Sequence, residues 1–324
     1  MKSAAQSLLS LNNILRYYKH VPDGYWQIDY PINDFSGALR CYYLDLSKKY
    51  LLFTGKCDPS GIPMYKELKG GRDIYGYSVI EVAQYALGVH QVYLSGGDLQ
   101  CLEKMKRIAD WLCATQENGV WINRYSAPHY GLEKPWVSAL TQAFGISALV
   151  RAYIETNDEE YLSGAMRATD IFWIAKDLGG VAVMNERREV VFLEEYQTEK
   201  PSYVLNGHIF ALFALCDLVK ITKNEKLNEL YEYMVIRLKR DISKWDIGYW
   251  SRYDRWEGQY NVASAYYHKL HIKQLRILAS LSGEVAFAQW AEKWERKSKN
   301  VLYASAALFC KVVMKGSRSK MIRR

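Results

Sequence analysis

From Ser78 onward the chain alternates two kinds of hydrophobic pattern. Segments such as IEVAQYALGVHQVYL, VSALTQAFGISALVRAYI, YVLNGHIFALFALCDLV and HKLHIKQLRILASL are apolar around much of a helical circumference, as buried helices are. Each is followed by a short polar turn and then a segment with one apolar stripe, for example DLQCLEKMKRIADWLCATQ or EEYLSGAMRATDIFWIAK. Such a stripe suits an outer helix with a solvated face. Every turn delivers an acid to the start of the second helix: Asp98, Asp158, Glu225 and Glu284. A carboxylate there is favoured by the helix dipole, and aspartate can also cap. These acids recur 60, 67 and 59 residues apart, a repeat on the scale of one helix pair. The pattern predicts an all-α fold, an incomplete α/α toroid of about four helical hairpins over residues 76–315.

The returns from each outer helix to the next inner one are long and carry the unusual residues. They run over 117–136, 179–201 and 241–267, and the toroid would collect all three on one face. In the second, VAVM and VVFL alternate around NERR, which predicts a β-hairpin insertion. It ends in EEYQTEKPSYVLNG (194–207), where Pro201 predicts a helix start and a helix over 202–222. On local pattern Glu194 and Glu195 would be solvated and Tyr196 would cap a core. Residues 1–75 read as one helix (Ala4 to Lys19) followed by an irregular segment wrapped on the main domain. Residues 316–324 read as a basic tail.

Composition changes this picture in three places. Tyrosine outnumbers phenylalanine, 26 to 9, and flat amphipathic rings suit a hydroxyl-rich ligand such as carbohydrate. The net charge of +8 is concentrated at the end: six basic residues and no acid follow from Lys311. The body is therefore near neutral and gives no sign of a nucleic-acid partner, while the tail suits either peripheral contact with an anionic membrane surface or polymer or a frayed solvated end. The six cysteines are scattered without CxxC or zinc spacing, and the N-terminus lacks a signal-peptide pattern. No stretch reaches the roughly 20 apolar residues of a membrane span. A reducing, cytoplasmic location is the simplest fit.

The stretch from Pro135 to about Lys297 resembles the C-terminal catalytic domain of the D-glucuronyl C5-epimerases, which invert glucuronate to iduronate within heparosan-type polysaccharides. The resemblance is carried by SALTQAFGISALVRAY, FLEEYQTEKPSYVLNG, the pair Tyr253–Asp254, and YHKLHIKQLRIL from Tyr267. It implies that Tyr196, Tyr253 and Tyr267 are active-site tyrosines, with Glu195 as the neighbouring acid and Asn206 binding substrate. It also implies a homodimer acting on a uronate-containing polysaccharide. Arg255 sits one position nearer Tyr253 than the family's arginine, and Tyr266 stands where an aspartate is usual.

C5 epimerisation removes the proton beside the uronate carboxylate and returns one to the opposite face. The carboxylate needs a cation or amide donor to relieve the carbanion's charge, and an acid–base pair must flank the ring. Arg252, Arg255, His268 and His271 are candidate cations near the last two tyrosines. Trp136 and Gln142 are further substrate-binding candidates, although Gln142 as a buried amide could equally be bonded internally. No metal or organic cofactor is required by this chemistry. His208 and His90, in apolar helices, read as core histidines. The alternatives are a uronate lyase sharing the carbanion, a glycoside hydrolase using Glu195 with Asp254, and a non-catalytic polysaccharide-binding module.

Overall fold

The computed structural model describes residues 30–321 apart from 36–38, 70–71, 134 and 258–259. The helix expected over Ala4–Lys19 and the last three residues of the basic tail lie outside the described residues. The described chain contains helices α1 (Ser47–Leu51), α2 (Val79–Gly96), α3 (Leu99–Ala114), α4 (Ala139–Thr156) and α5 (Glu159–Arg167). These are followed by α6 (Leu205–Thr222), α7 (Glu225–Asp241), α8 (Ala265–Ser282), α9 (Val285–Ser298) and α10 (Val301–Met321). Two antiparallel hairpins interrupt them: β1 (Tyr65–Lys69) with β2 (Arg72–Gly76), and β3 (Ala182–Met184) with β4 (Val190–Leu193). The fold is all-α with β-hairpin insertions, and the four expected helix pairs are α2/α3, α4/α5, α6/α7 and α8/α9.

The turns within the pairs share one construction. Each inner helix ends on a left-handed residue: Gly97 (φ 70°), Asn157 (φ 55°), Lys223 (φ 55°) and Gly283 (φ 73°). That conformation turns the chain so that an N–H can close the last helical turn; the Gly97, Asn157 and Lys223 amides bond to the carbonyls of Tyr93, Tyr153 and Val219. The outer helix then starts on its acid. Asp98 and Asp158 accept from the amides of Gln100 and Glu160. Glu284 makes no such bond, and ahead of Glu225 the capping acceptor is Asn224, which takes the Leu227 amide.

The described residues divide into two compact units, the larger comprising 30–199 with 207–235 and the smaller 200–206 with 236–321. In the larger unit α2 packs on α1, α3 and α4, and α4 packs on α5, so α2 and α4 form an inner row. Gly145 of α4 leaves room for the fully buried Trp121, whose indole donates to the Leu112 carbonyl at 2.8 Å. A buried ion pair joins Arg151 of α4 to Asp217 of α6, and Asp217 also accepts from Ser147 (2.7 Å) and Tyr43 (2.6 Å). By length and composition α6 could cross a membrane, but 78% of it is buried inside the protein. All six cysteines are free thiols. In the smaller unit α8 packs on α9, and Lys311 ties α10 to Asn261 Oδ1 (2.7 Å) and the Val262 carbonyl (2.8 Å).

Three local expectations change. The helix after Pro201 begins at Leu205 and not at Ser202, because Tyr203 is left-handed (φ 51°) and its carbonyl accepts the Trp245 indole N–H at 2.9 Å. Residues 30–75 contain α1 and the β1/β2 hairpin in addition to irregular chain. The terminal helix α10 runs through residue 316, where the tail was expected to begin.

Candidate active site

In the larger unit the EEY segment is fixed chiefly by its main chain. Strand β4 delivers Glu194, whose amide donates to the Val181 carbonyl (2.8 Å) and whose carbonyl accepts from Ala139 (2.9 Å) at the start of α4. The Leu193 amide donates to His208 Nδ1 at 3.1 Å. Gln197 accepts the Val137 amide (3.0 Å) and donates to the Gly180 carbonyl (2.7 Å). Neither acid is solvated: Glu194 and Glu195 are both buried. Glu195 rests on the first turn of α6, where a Cβ added to Gly207 would lie 2.5 Å from Glu195 Oε2 and 2.8 Å from its Cβ. Only glycine leaves that space, which accounts physically for the glycine of VLNG. Beside it Tyr196 is half-buried, stacked on Tyr130 at 4.0 Å and on Trp136 at 5.5 Å. Trp136 in turn meets Tyr125 edge-on at 5.6 Å and donates its indole N–H to the Tyr125 carbonyl at 2.6 Å.

Three residues of this unit have structural duties. Gln142 is fully buried, accepts the Trp121 amide (3.0 Å) and donates to the Trp121 and Ser138 carbonyls (2.8 and 3.3 Å). Both ends of the amide are occupied internally, so of the two roles open to it the structure takes the core one. Trp121 likewise belongs to the core and not to a binding face. His208, stacked on Phe192 at 4.0 Å, is pushed down to about 3 by burial and is a neutral core imidazole, as the sequence suggested.

The smaller unit brings Tyr253 and Tyr267 together, edge to face at 4.6 Å. Tyr267 lies in the first turn of α8, and its amide is capped by Ser264 Oγ. Tyr253 is set by its main chain, donating to the Asn261 carbonyl (2.8 Å) and accepting the Leu205 amide (3.2 Å). Asp254 is buried and accepts from Asn261 Nδ2 at 2.6 Å. Asn206, on the opening turn of α6, holds Gln274 Nε2 on its carbonyl at 3.0 Å. The Arg255 guanidinium lies over Tyr203 (4.7 Å) and Trp245 (4.8 Å), and Arg252 lies over Tyr260 (4.9 Å) with its Nε on the Asp254 carbonyl (3.0 Å).

The histidines of this unit do not supply charge. His268 stacks on Trp250 at 3.9 Å, and Ser251 Oγ sits 2.8 Å from His268 Nδ1 and 3.0 Å from His271 Nδ1. Both rings are fully buried. Burial pushes His268 down to about 3 and His271 well below the usual range, the latter helped by its neighbour. The expectation that His268 and His271 act as cations is therefore corrected. Positive charge on this connection comes from Arg252, Arg255 and Lys244, the last paired with Asp241 at 2.9 Å. Among the described residues no group of three or more His, Cys, Asp or Glu converges to hold a metal ion.

The chain is thus a helical-hairpin protein whose long connections hold phenol, carboxylate and guanidinium groups on fixed backbone. A family model described as the D-glucuronyl C5-epimerase C-terminus matches residues 115–296, more than half the chain, and the chain belongs to that family. The match begins some way before Pro135, where the motifs alone placed it. Two relatives are similar over this part. An uncharacterized protein of Methanocaldococcus jannaschii is 32% identical over 177 residues, covering 54% of this chain and 56% of the relative. A D-glucuronyl C5-epimerase of Caenorhabditis elegans is 32% identical over 207 residues, covering 57% of this chain and 33% of the relative. The matched regions span between a third and just over half of these relatives' lengths.

Proposed function

We propose that this chain epimerises polymer-linked D-glucuronate to L-iduronate at C5 in a heparosan-like polysaccharide. The observation that carries the reading is a buried Glu195 locked against Gly207 beside a half-buried Tyr196, inside the span of an epimerase family. In the proposed reaction the C5–H bond breaks, its proton passes to an enzyme base, and the electron pair delocalises into the carboxylate. A second group then protonates C5 from the other side.

Tyr196 with Glu195, and Tyr267, are assigned to proton transfer, with Tyr253 orienting Tyr267 through the ring contact described above. Arg252 or Arg255 and the Asn206 amide are assigned to the uronate carboxylate, where fixed donors stabilise charge as it develops. A free tyrosine has a pKa of about 10, so a nearby guanidinium is what would make a phenolate accessible. Trp136 supports Tyr196 by stacking.

The test is NMR of heparosan incubated with the protein in heavy water. Deuterium entering C5 with new iduronate signals is the expected result. Rising ultraviolet absorbance from an unsaturated sugar would replace this reading with a lyase, and new reducing ends would replace it with a hydrolase.

A further inference from the structure

Helix α10 turns one side to the smaller unit. From that side Lys311 reaches Asn261 and the Val262 carbonyl, Cys310 Sγ lies 3.4 Å from the Tyr249 hydroxyl, and the Tyr303 ring is 6.0 Å from that of Tyr249. Ala307 is fully buried there. The other side faces outward. Leu302 is 77% exposed and Phe309 70%, with Ala306 exposed between them. These three stand at i, i+4 and i+7, so they line one face of the helix over two turns. Single apolar residues on a surface need no explanation, but a contiguous stripe with a polar surround marks a face that meets something apolar.

The surround is strongly cationic. No acid follows Glu295, and nine basic residues do, three of them before α10 and five after Val313. Nine charges set against a net of +8 for the whole chain leave the remainder close to neutral. Arg296 and Lys299, just ahead of the helix, are exposed. Helix α10 continues to Met321, so the cationic stretch begins on the same helix as the apolar stripe. Its apolar part, Val301–Val313, is about 20 Å long at about 1.5 Å per residue. A bilayer core of about 30 Å is beyond its reach, so it can lie along a membrane but not cross one.

Charge and apolar area together select the occupant. A soluble polyanion would satisfy the basic residues and leave Leu302 and Phe309 in water. In a twofold dimer of this face the same positive stretch would meet itself. An anionic bilayer surface takes both features at once. We propose that α10 is an interfacial helix that seats this protein on an anionic phospholipid surface. Leu302 and Phe309 enter the acyl boundary, and the net positive charge of the stretch draws it to the headgroups. The seat belongs to the smaller unit and does not depend on the chemistry proposed for Glu195 and Tyr196.

The test is co-sedimentation of the full chain with vesicles of phosphatidylcholine alone and of phosphatidylcholine mixed with phosphatidylserine. Binding to the anionic vesicles should exceed binding to the neutral ones by about tenfold or more, and should fall as added salt screens the surface. Leu302→Ser combined with Phe309→Ser should lower the anionic-vesicle partition by about tenfold or more and leave the melting temperature unchanged. Phe309→Leu, which keeps apolar area, should bind within about threefold of the parent. Absence of sedimentation, equal binding to both vesicles, or undiminished binding of the double serine variant would overturn the proposal. A lower melting temperature in that variant would put the stripe inside the fold, and a dimer that the substitutions convert to monomer in light scattering would put a second copy on it; either result overturns the membrane seat. So does an equal weakening of a heparosan hexasaccharide in calorimetric titration, which would give the face to the polymer.

Discussion

At the scale of single residues, the site is built where side chains have least freedom. Glu195 is confined by the backbone of α6 at Gly207, so Gly207→Ala should move the acid and lower C5 exchange by about 10²-fold or more, with substrate affinity less affected. Equal losses in kcat and in thermal stability would show a folding defect instead. Tyr196→Phe and Tyr267→Phe each remove one proton-transfer group, and each should cost about 10²–10⁴ in rate with hexasaccharide affinity retained. Retention of rate in either variant would remove that tyrosine from the mechanism. The tyrosines and Glu195 could be singled out as candidates because they stand in short motifs. The burial of both acids was not legible, since it depends on Val181, Ala139 and Gly207, which are distant in sequence.

At the scale of elements, the hairpin β3/β4 and the four helix pairs were legible because periodicity and turn chemistry agreed. The start of α6 was not, because bonds from Arg255 and Trp245 hold residues 202 and 203 out of helical geometry. The hairpin β1/β2 was missed although two glycines separate YKELK from RDIYG, a recognised signal for a tight turn. The inner-helix ends carry a prediction of their own. Lys223 occupies a left-handed position where its Cβ costs about 1 kcal/mol, so Lys223→Gly should stabilise the chain by about 0.5–1 kcal/mol in urea unfolding. A loss of stability would mean that the Lys223 side chain contributes more than its backbone costs.

For the whole molecule, buried histidines in both units contribute to the response to acid. His208 and His268 are each pushed down to about 3 and His271 lower still, while in the unfolded chain they take up protons near the ordinary value of about 6.5. The unfolded state thus binds more protons below that value, and stability, complete above it, is lost as pH falls towards the folded values. Each group should contribute up to about 1.4 kcal/mol per pH unit in that window. Urea midpoints measured from about pH 7.5 down to about pH 5 should fall steadily; a flat profile would show that these rings charge within the native state.

The common left-handed closure of the inner helices also bears on how such a chain can be lengthened. Because all four seams share a backbone solution, a duplicated helix pair spliced in at one of them would inherit a working junction, and only its flanks would need new complementarity. Growth by whole repeats, with chemistry confined to the longer returns, is thereby open to this architecture without reinventing its corners.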